Sequence, residues 1–333
     1  MEVVKTAFVT GGTGFIGSRL IALLVARGVE VRALARSQAG LEKVKALGAA
    51  PVQGDVTDPR SMKESMRGCD VVFHVASMYE VGLRHKKQME KVNVDGVRNV
   101  IETALEAGVP KIVFTSTVGV FGNTRGRMAD ETFEHQGDFP TVYERTKWIA
   151  HYQIVLPFIK QGAPIIIVMP SGVFGPNDHS TLNDLMKLHL RGRLPVVPGK
   201  ETTFSHVYVD DVAEGHILAA EKGRIGESYI LGGTALSLGE YIKLWSKVTG
   251  RPAPVLEIPS AFVRVWWPVL ALLERVLPIP AVLSGEAARV LGTTWIATSE
   301  KAQRELGYQF RPVEEGLKLT FDWLNNRYNQ AQQ

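Results

Sequence analysis

The chain has 333 residues, about twice a typical single-domain length, so one large or two modest domains are expected. Hydrophobic residues make up 45% and charged residues 22%, which excludes a disordered, collagen-like or disulfide-stapled protein. Lys plus Arg number 38 against 34 Asp plus Glu, and the net +4 is spread along the chain with no run that would form a nucleic-acid arm.

The single cysteine, Cys69, excludes an internal disulfide or a cysteine metal site and suits a reducing, cytoplasmic setting. Met1 to Phe8 lacks a basic region and cleavage site, so no targeting leader is expected. The eight histidines show no metal-ligand spacing, and no metal is expected.

In chain order, Lys5–Thr10, Val29–Leu34, Ala50–Gln53, Val71–His74, Lys111–Thr115 and Pro164–Met169 read as buried strands. Between them Ile16–Ala26, Pro59–Met66 and Val94–Ala107 have helical length and spacing. Strands that are apolar on both faces and alternate with helices predict a doubly wound parallel α/β sheet of Rossmann type over residues 1–170. Residues 171–333 are expected to form a smaller, mostly helical substrate-binding region, with segments near 200–235 returning to the sheet. Its expected helices are Leu182–Leu190, Val212–Lys222, Leu238–Val248, Ala261–Leu277 and Ser299–Leu306. Ile258–Leu283 is the most apolar stretch, yet Arg264, Glu274, Arg275 and four prolines exclude a membrane span. It reads as a core helix, a homodimer contact or an apolar lid, and a peripheral membrane contact is open to it.

Directly after the first strand comes Thr10-Gly11-Gly12-Thr13-Gly14-Phe15-Ile16-Gly17, opening a helix. Glycines there permit a tight turn and close approach of backbone to a diphosphate, which the helix N-terminus then attracts. A dinucleotide is therefore the expected cofactor. The second strand ends in Arg36 with no carboxylate, which points to the 2′-phosphate of NADP(H) over NAD(H). Asp55-Val56 after the third strand can meet the adenine, or Asp55 can cap the next helix. Val75-Ala76-Ser77 after the fourth strand leave room for ribose and nicotinamide.

Tyr143 and Lys147 stand four residues apart, on one face of a helix. A neighbouring ammonium and an oxidised nicotinamide are together expected to lower the phenol's pKa and make it an acid–base group. Thr115-Ser116-Thr117, past the fifth strand, supplies hydroxyls for a reacting carbonyl oxygen. Asp210 and Asp211 read as a helix start, His206 as a structural histidine, and Asn93 as a helix kink or the holder of a relay water.

With TGGTGFIG, GDVTD, HVAS, FTSTVGVFG, YERTK, MPSGVFGP and VDDVAEGHILA, the chain resembles the extended short-chain dehydrogenase/reductases over nearly its whole length. The likeness is greatest to the dihydroflavonol 4-reductase-like branch of this epimerase/dehydratase superfamily, which also includes hopanoid-associated sugar epimerase-like proteins. The resemblance implies a catalytic triad of Thr117, Tyr143 and Lys147, 2′-phosphate contacts at Arg36 and Lys43, and a nicotinamide carboxamide fixed by Pro170 and Val173. UDP-sugar epimerases of the superfamily carry an arginine for the diphosphate ahead of the V-D-D run. Thr202 to Tyr208 has none here, although Lys200, Arg191 and Arg193 are near in sequence.

The expected function is reduction of a carbonyl, or oxidation of a secondary alcohol, on a bulky hydrophobic small molecule. A nucleotide-sugar epimerase or dehydratase is the alternative, and a cofactor-binding regulator without catalysis the third reading.

Overall fold

The structure is a computed structural model and describes residues 4–79, 85–135, 137, 139–263, 265 and 285–330. Strands β1 (Thr6–Thr10), β2 (Glu30–Ala35), β3 (Ala50–Gln53), β4 (Val71–His74), β5 (Ile112–Thr115) and β6 (Ile165–Pro170) are joined by crossovers. The helices among them are α1 (Phe15–Ala26), α2 (Gln38–Ala46), α3 (Lys63–Met66), α4 (Lys86–Glu90), α5 (Gly96–Glu106), α6 (Val142–Trp148) and α7 (Leu156–Lys160). Short apolar runs with no polar face form a sheet only if helices cover both sides, and that is what they do here.

After β6 come β7 (Gly172–Phe174), α8 (Thr181–Leu190), β8 (Val196–Pro198), β9 (Thr203–Tyr208), α9 (Val209–Lys222), β10 (Ser228–Leu231), β11 (Thr234–Ser237), α10 (Leu238–Thr249) and β12 (Leu256–Ile258). α11 (Gly285–Val290), α12 (Glu300–Leu306) and α13 (Val313–Gln330) complete the described chain. The central sheet has seven strands in the order β10-β6-β5-β4-β1-β2-β3, all parallel. Order reverses between β1 and β4, and the carboxyl ends at such a switch point frame a crevice.

Alternation within the strands splits the core. Phe8, Val72, Phe114, Ile165 and Ile167 face one helical layer, with Ile101 and Ala104 of α5. Ala7, Val9, Phe73, Ile166 and Val168 face the other, with Leu20 of α1 and Ile217 of α9. The later part of the chain adds two small sheets, β11-β9-β7 and β12-β8, and a third core around Phe174, Tyr241, Trp245, Leu317 and Phe321.

Several expected elements differ in detail. Pro59–Met66 is a 3-10 turn at Pro59–Ser61 followed by the four-residue α3, because Asp58 accepts the Arg60 N–H and closes a tighter turn. The helix expected from Val94 begins as a π-turn at Lys91–Asp95 before α5. A second π-turn, Ile149–Val155, joins α6 to α7. Most of the expected helix Ala261–Leu277 lies outside the described residues. Among the described residues no helix is long and apolar enough to cross a membrane.

Candidate active site

The glycine loop leaves β1 through Gly11 at φ 73°, and Gly14 N–H donates to the Gly11 carbonyl at 2.9 Å. A Cβ on Gly11 would stand 2.6 Å from the Ala76 nitrogen, and one on Gly17 would stand 2.2 Å from the Gly11 oxygen. Only glycine lets the loop, the Val75–Ala76 backbone and α1 approach so closely. Gly14 caps α1 with no side chain, and no acidic residue lies in its first turn. Its leading N–H groups thus keep the donor capacity and positive dipole that suit a diphosphate. Thr13, Phe15 and Ile16 lie along this cradle.

At the neighbouring strand ends, Arg36 is 68% exposed and its guanidinium lies 3.9 Å from the Asp55 carboxylate. Asp55 does not cap a helix: its carboxylate accepts from Thr57 N and Oγ1 at 2.8 and 2.9 Å, and Asp58 makes the cap. Val56 is buried below it against Gly96. Lys43 Nζ donates to the Thr13 carbonyl at 2.8 Å, tying α2 to the glycine loop.

Beside this crevice, the carboxyl ends of β4 and β5 meet the reactive side chains. Thr141 and Glu144 form a capping box that starts α6, so Tyr143 and Lys147 fall on successive turns facing the strand ends. Lys147 Nζ donates to the Thr115 carbonyl at 2.6 Å and lies 5.0 Å from the centre of the Phe114 ring. Burial brings its pKa down to about 7. Thr117 follows at the head of a 3-10 turn, its hydroxyl accepting the Gly119 N–H at 3.1 Å. A Cβ on Gly119 would touch both Thr117 Oγ1 and the Glu144 side chain, so the glycine lets α6 settle against this turn.

The chain's own groups do not depress the tyrosine pKa. Burial raises the Tyr143 pKa, Glu144 and Tyr79 raise it further, and a hydrogen bond with Ser77 only partly opposes them. The ammonium expected to favour the phenolate is turned to a backbone carbonyl and is itself desolvated. Tyr143 is therefore a proton-bearing phenol at neutral pH.

Ser77 is exposed and donates to Asn93 Oδ1 at 3.1 Å, while Met78 N donates to the same oxygen at 2.7 Å. Asn93 Nδ2 donates to the Met78 carbonyl and to Thr146 Oγ1 at 2.9 and 3.0 Å. Asn93 thus both lies in a π-turn and pins the loop after β4 to the helix carrying Tyr143. Pro170 ends β6 and Val173 lies in β7, on the sheet's other flank.

Three further contacts at the site escaped the sequence reading. The Tyr79 ring meets Tyr143 edge-on at 4.9 Å and is 52% exposed. His151 Nδ1 pairs with Ser116 Oγ at 2.7 Å, one residue before Thr117. Its position four after Lys147 was a usable hint. Thr10 Oγ1 pairs with His74 Nδ1 at 2.7 Å beneath Ala76. Asp210 and Asp211 do not cap α9 with their side chains; they pair with Arg19 at 2.5 Å and Arg311 at 2.8 Å, joining α9 to α1 and to the segment before α13. His206 is buried, stacks on Tyr241 at 3.8 Å and is held neutral by burial, its pKa down to about 3. Cys69 is a buried thiol whose pKa burial raises. No cluster of metal-ligating side chains occurs among the described residues.

This arrangement has counterparts. A model of the 3-beta hydroxysteroid dehydrogenase/isomerase family matches residues 8–228. A putative dihydroflavonol 4-reductase of Synechocystis sp. is 32% identical over 331 residues, covering 96% of this chain and 94% of that protein. A 4-hydroxy-2-methyl-3-oxo-4-farnesyl-3,4-dihydroquinoline-1-oxide ketoreductase of Stigmatella aurantiaca is 34% identical over 316 residues, covering 93% and 94%. Among solved structures, the crystal structure of gox2253 superposes with a TM-score of 0.85 at 34% identity, covering 97% of this chain and 98% of that one. The chain belongs to the 3-beta hydroxysteroid dehydrogenase/isomerase family, and so to the extended short-chain dehydrogenase/reductase oxidoreductases.

Proposed function

We propose that the protein is an NADP(H)-dependent reductase of a carbonyl on a bulky, apolar small molecule, in a cytoplasmic setting that keeps Cys69 a thiol. The observation that carries this reading is the placement of Tyr143 and Lys147 one turn apart on α6, with Lys147 Nζ on the Thr115 carbonyl at the end of β5. Gly11 to Gly17 hold the cofactor diphosphate, Arg36 and Lys43 the 2′-phosphate, and Asp55 and Val56 the adenine. Val75, Ala76, Ser77, Pro170 and Val173 border the nicotinamide, which when bound supplies the hydride.

The residues of the chain do the rest. Thr117 Oγ1 and Tyr143 Oη hold the carbonyl oxygen, and Tyr143 passes its proton to that oxygen as negative charge develops there. Tyr143 bears the proton that reduction requires, and the negative charge developing on the substrate oxygen draws that proton across. Lys147 steadies Tyr143 and holds the cofactor ribose, and protonated it offsets the charge left on the phenolate.

The substrate class rests on the lack of a diphosphate anchor at β9, whose rings pack into the core, Phe204 on Trp295 at 5.3 Å and His206 on Tyr241. The arginine that would hold a sugar diphosphate is absent from Thr202–Tyr208, and phosphate recognition relies on such charge-assisted contacts. The Stigmatella relative, by its name a ketoreductase of a farnesylated quinoline oxide, is of the same substrate character. The test is oxidation of NADPH, followed by its absorbance, against bulky aromatic and alicyclic ketones and aldehydes. Turnover there with no response to UDP-glucose supports the reading. Tight UDP-glucose binding with no carbonyl turnover replaces it with the epimerase.

A further inference from the structure

In the later part of the chain, the surroundings of the β8–β12 sheet combine exposed apolar and basic side chains. The two-stranded sheet pairs β8 with β12 in parallel, Val196 opposite Leu256. At its leading end Val255 is 100% exposed and Leu256 57%; beyond β12, Phe262 is 58% exposed and Val265 73%. Large apolar side chains exposed together on a surface mark a site of interaction.

The stretches leading into both strands are basic. Neither 185–200 nor 241–256 contains an aspartate or glutamate. Lys187, Lys200, Lys243 and Lys247 are spoken for by Asp184, Glu257 and Glu314. Arg191, Arg193 and Arg251 are exposed and enter no ion pair among the described residues, although Arg191 lies over the Tyr328 ring. The Gly192 turn reaches toward Arg251: a Cβ there would be 3.8 Å from its guanidinium.

We propose that this region docks on an anionic membrane surface. Arg251 precedes Val255 by four residues that include Pro252 and Pro254, a spacing of roughly 10–13 Å in an extended chain. Apolar side chains of interfacial segments enter a bilayer by about 5–10 Å, so the arginines stand at headgroup level while Val255 and Leu256 enter the acyl boundary. Exposed apolar side chains need no complementary pocket in a fluid lipid surface, whereas a second protein chain would have to supply one. The nearby carboxylates are engaged elsewhere, Glu257 by Lys200 and Lys243, Glu201 by Ser260 and Glu240 by Ser237, and anionic lipid supplies the counter-charge for the three arginines.

The test is flotation of the full chain with vesicles of phosphatidylcholine alone and mixed with phosphatidylglycerol, at low and high salt. Binding to the mixed vesicles, weaker binding to phosphatidylcholine and release by salt are expected. Each of Arg191→Gln, Arg193→Gln and Arg251→Gln should lower binding roughly fivefold, the share of one basic residue near an anionic surface. Val255→Ser with Leu256→Ser and Phe262→Ser should abolish it while NADPH affinity and circular dichroism stay unchanged. Absence of binding to mixed vesicles, or binding that survives the serine variants, overturns the proposal. A dimer in sedimentation that the serine variants dissociate, with no vesicle binding, assigns the region to a second copy instead. Because vesicle binding is read without any substrate, a failure here leaves the reductase reading untouched, and the converse holds.

Discussion

Lys147 of α6 donates to the carbonyl of Thr115, the last residue of β5, at 2.6 Å, and this contact fixes the helix bearing Tyr143 against the strand end bearing Thr117. Buried with a pKa near 7, the lysine is a group whose charge the surroundings decide.

Tyr143→Phe should lower kcat by about 10²–10⁴ while NADPH affinity stays within about threefold, because the hydroxyl acts only where charge develops. Lys147→Ala should lower both. Steady-state kinetics and fluorescence titration check this pair. Near-normal turnover by Tyr143→Phe would remove the phenol from the mechanism.

Arg36→Ala should cost roughly tenfold to a hundredfold in NADPH affinity and leave NADH affinity nearly unchanged, the share of a charge-assisted phosphate contact. Its exposure favours the low end of that range. Parallel titrations of both cofactors decide it, and equal wild-type affinities for NADPH and NADH defeat it.

Stability should fall steeply below neutrality. Burial lowers the pKa of His74, His151 and His206 to about 3 and of His216 to about 4, while an unfolded chain takes up these protons near pH 6.5. Between those values the unfolded state binds more protons than the native one, so stability is lost as pH falls. Each histidine contributes about 1 kcal/mol between pH 7 and pH 5.5, several in total. Urea midpoints at the two pH values measure the difference, and matching midpoints contradict it.

Gly11→Ala should destabilise by more than about 3 kcal/mol, since it adds a backbone clash with Ala76 to the strain of φ 73°. Gly28→Ala shares the positive φ but meets nothing within 4 Å, so about 1 kcal/mol is expected. Thermal unfolding of both variants separates clash from strain. Equal losses would show that the close approach of loop to β4 is not the constraint.

The sheet was largely legible because buried parallel strands are unbroken apolar runs: β3 and β4 fall on the expected residues, and the others shift by a residue or so. The glycine loop and the Tyr143–Lys147 spacing were legible because both are local. Contacts between residues distant in sequence were not, among them Ser116 with His151 and Arg19 with Asp210, since nothing in one segment records its partner. The state of Tyr143 depends on how fully the fold encloses it, which spacing does not reveal. α13 also escaped notice: Val313, Leu317, Phe321 and Leu324 form a narrow apolar stripe among many polar residues.

The π-turn at Ile149–Val155 has a consequence for the long helix it interrupts. One extra residue within a turn advances everything beyond it by about 100°. Tyr143 and Lys147 lie before that step and take their angular setting from the crevice. Ile154 and Val155, buried in the core, take theirs from the sheet. A uniform α-helix would tie the two settings together, so any change favouring the core would rotate the acid away from its strand. With the step in place the two halves keep independent phases, and residues beyond 155 can vary to suit packing without steering the chemistry.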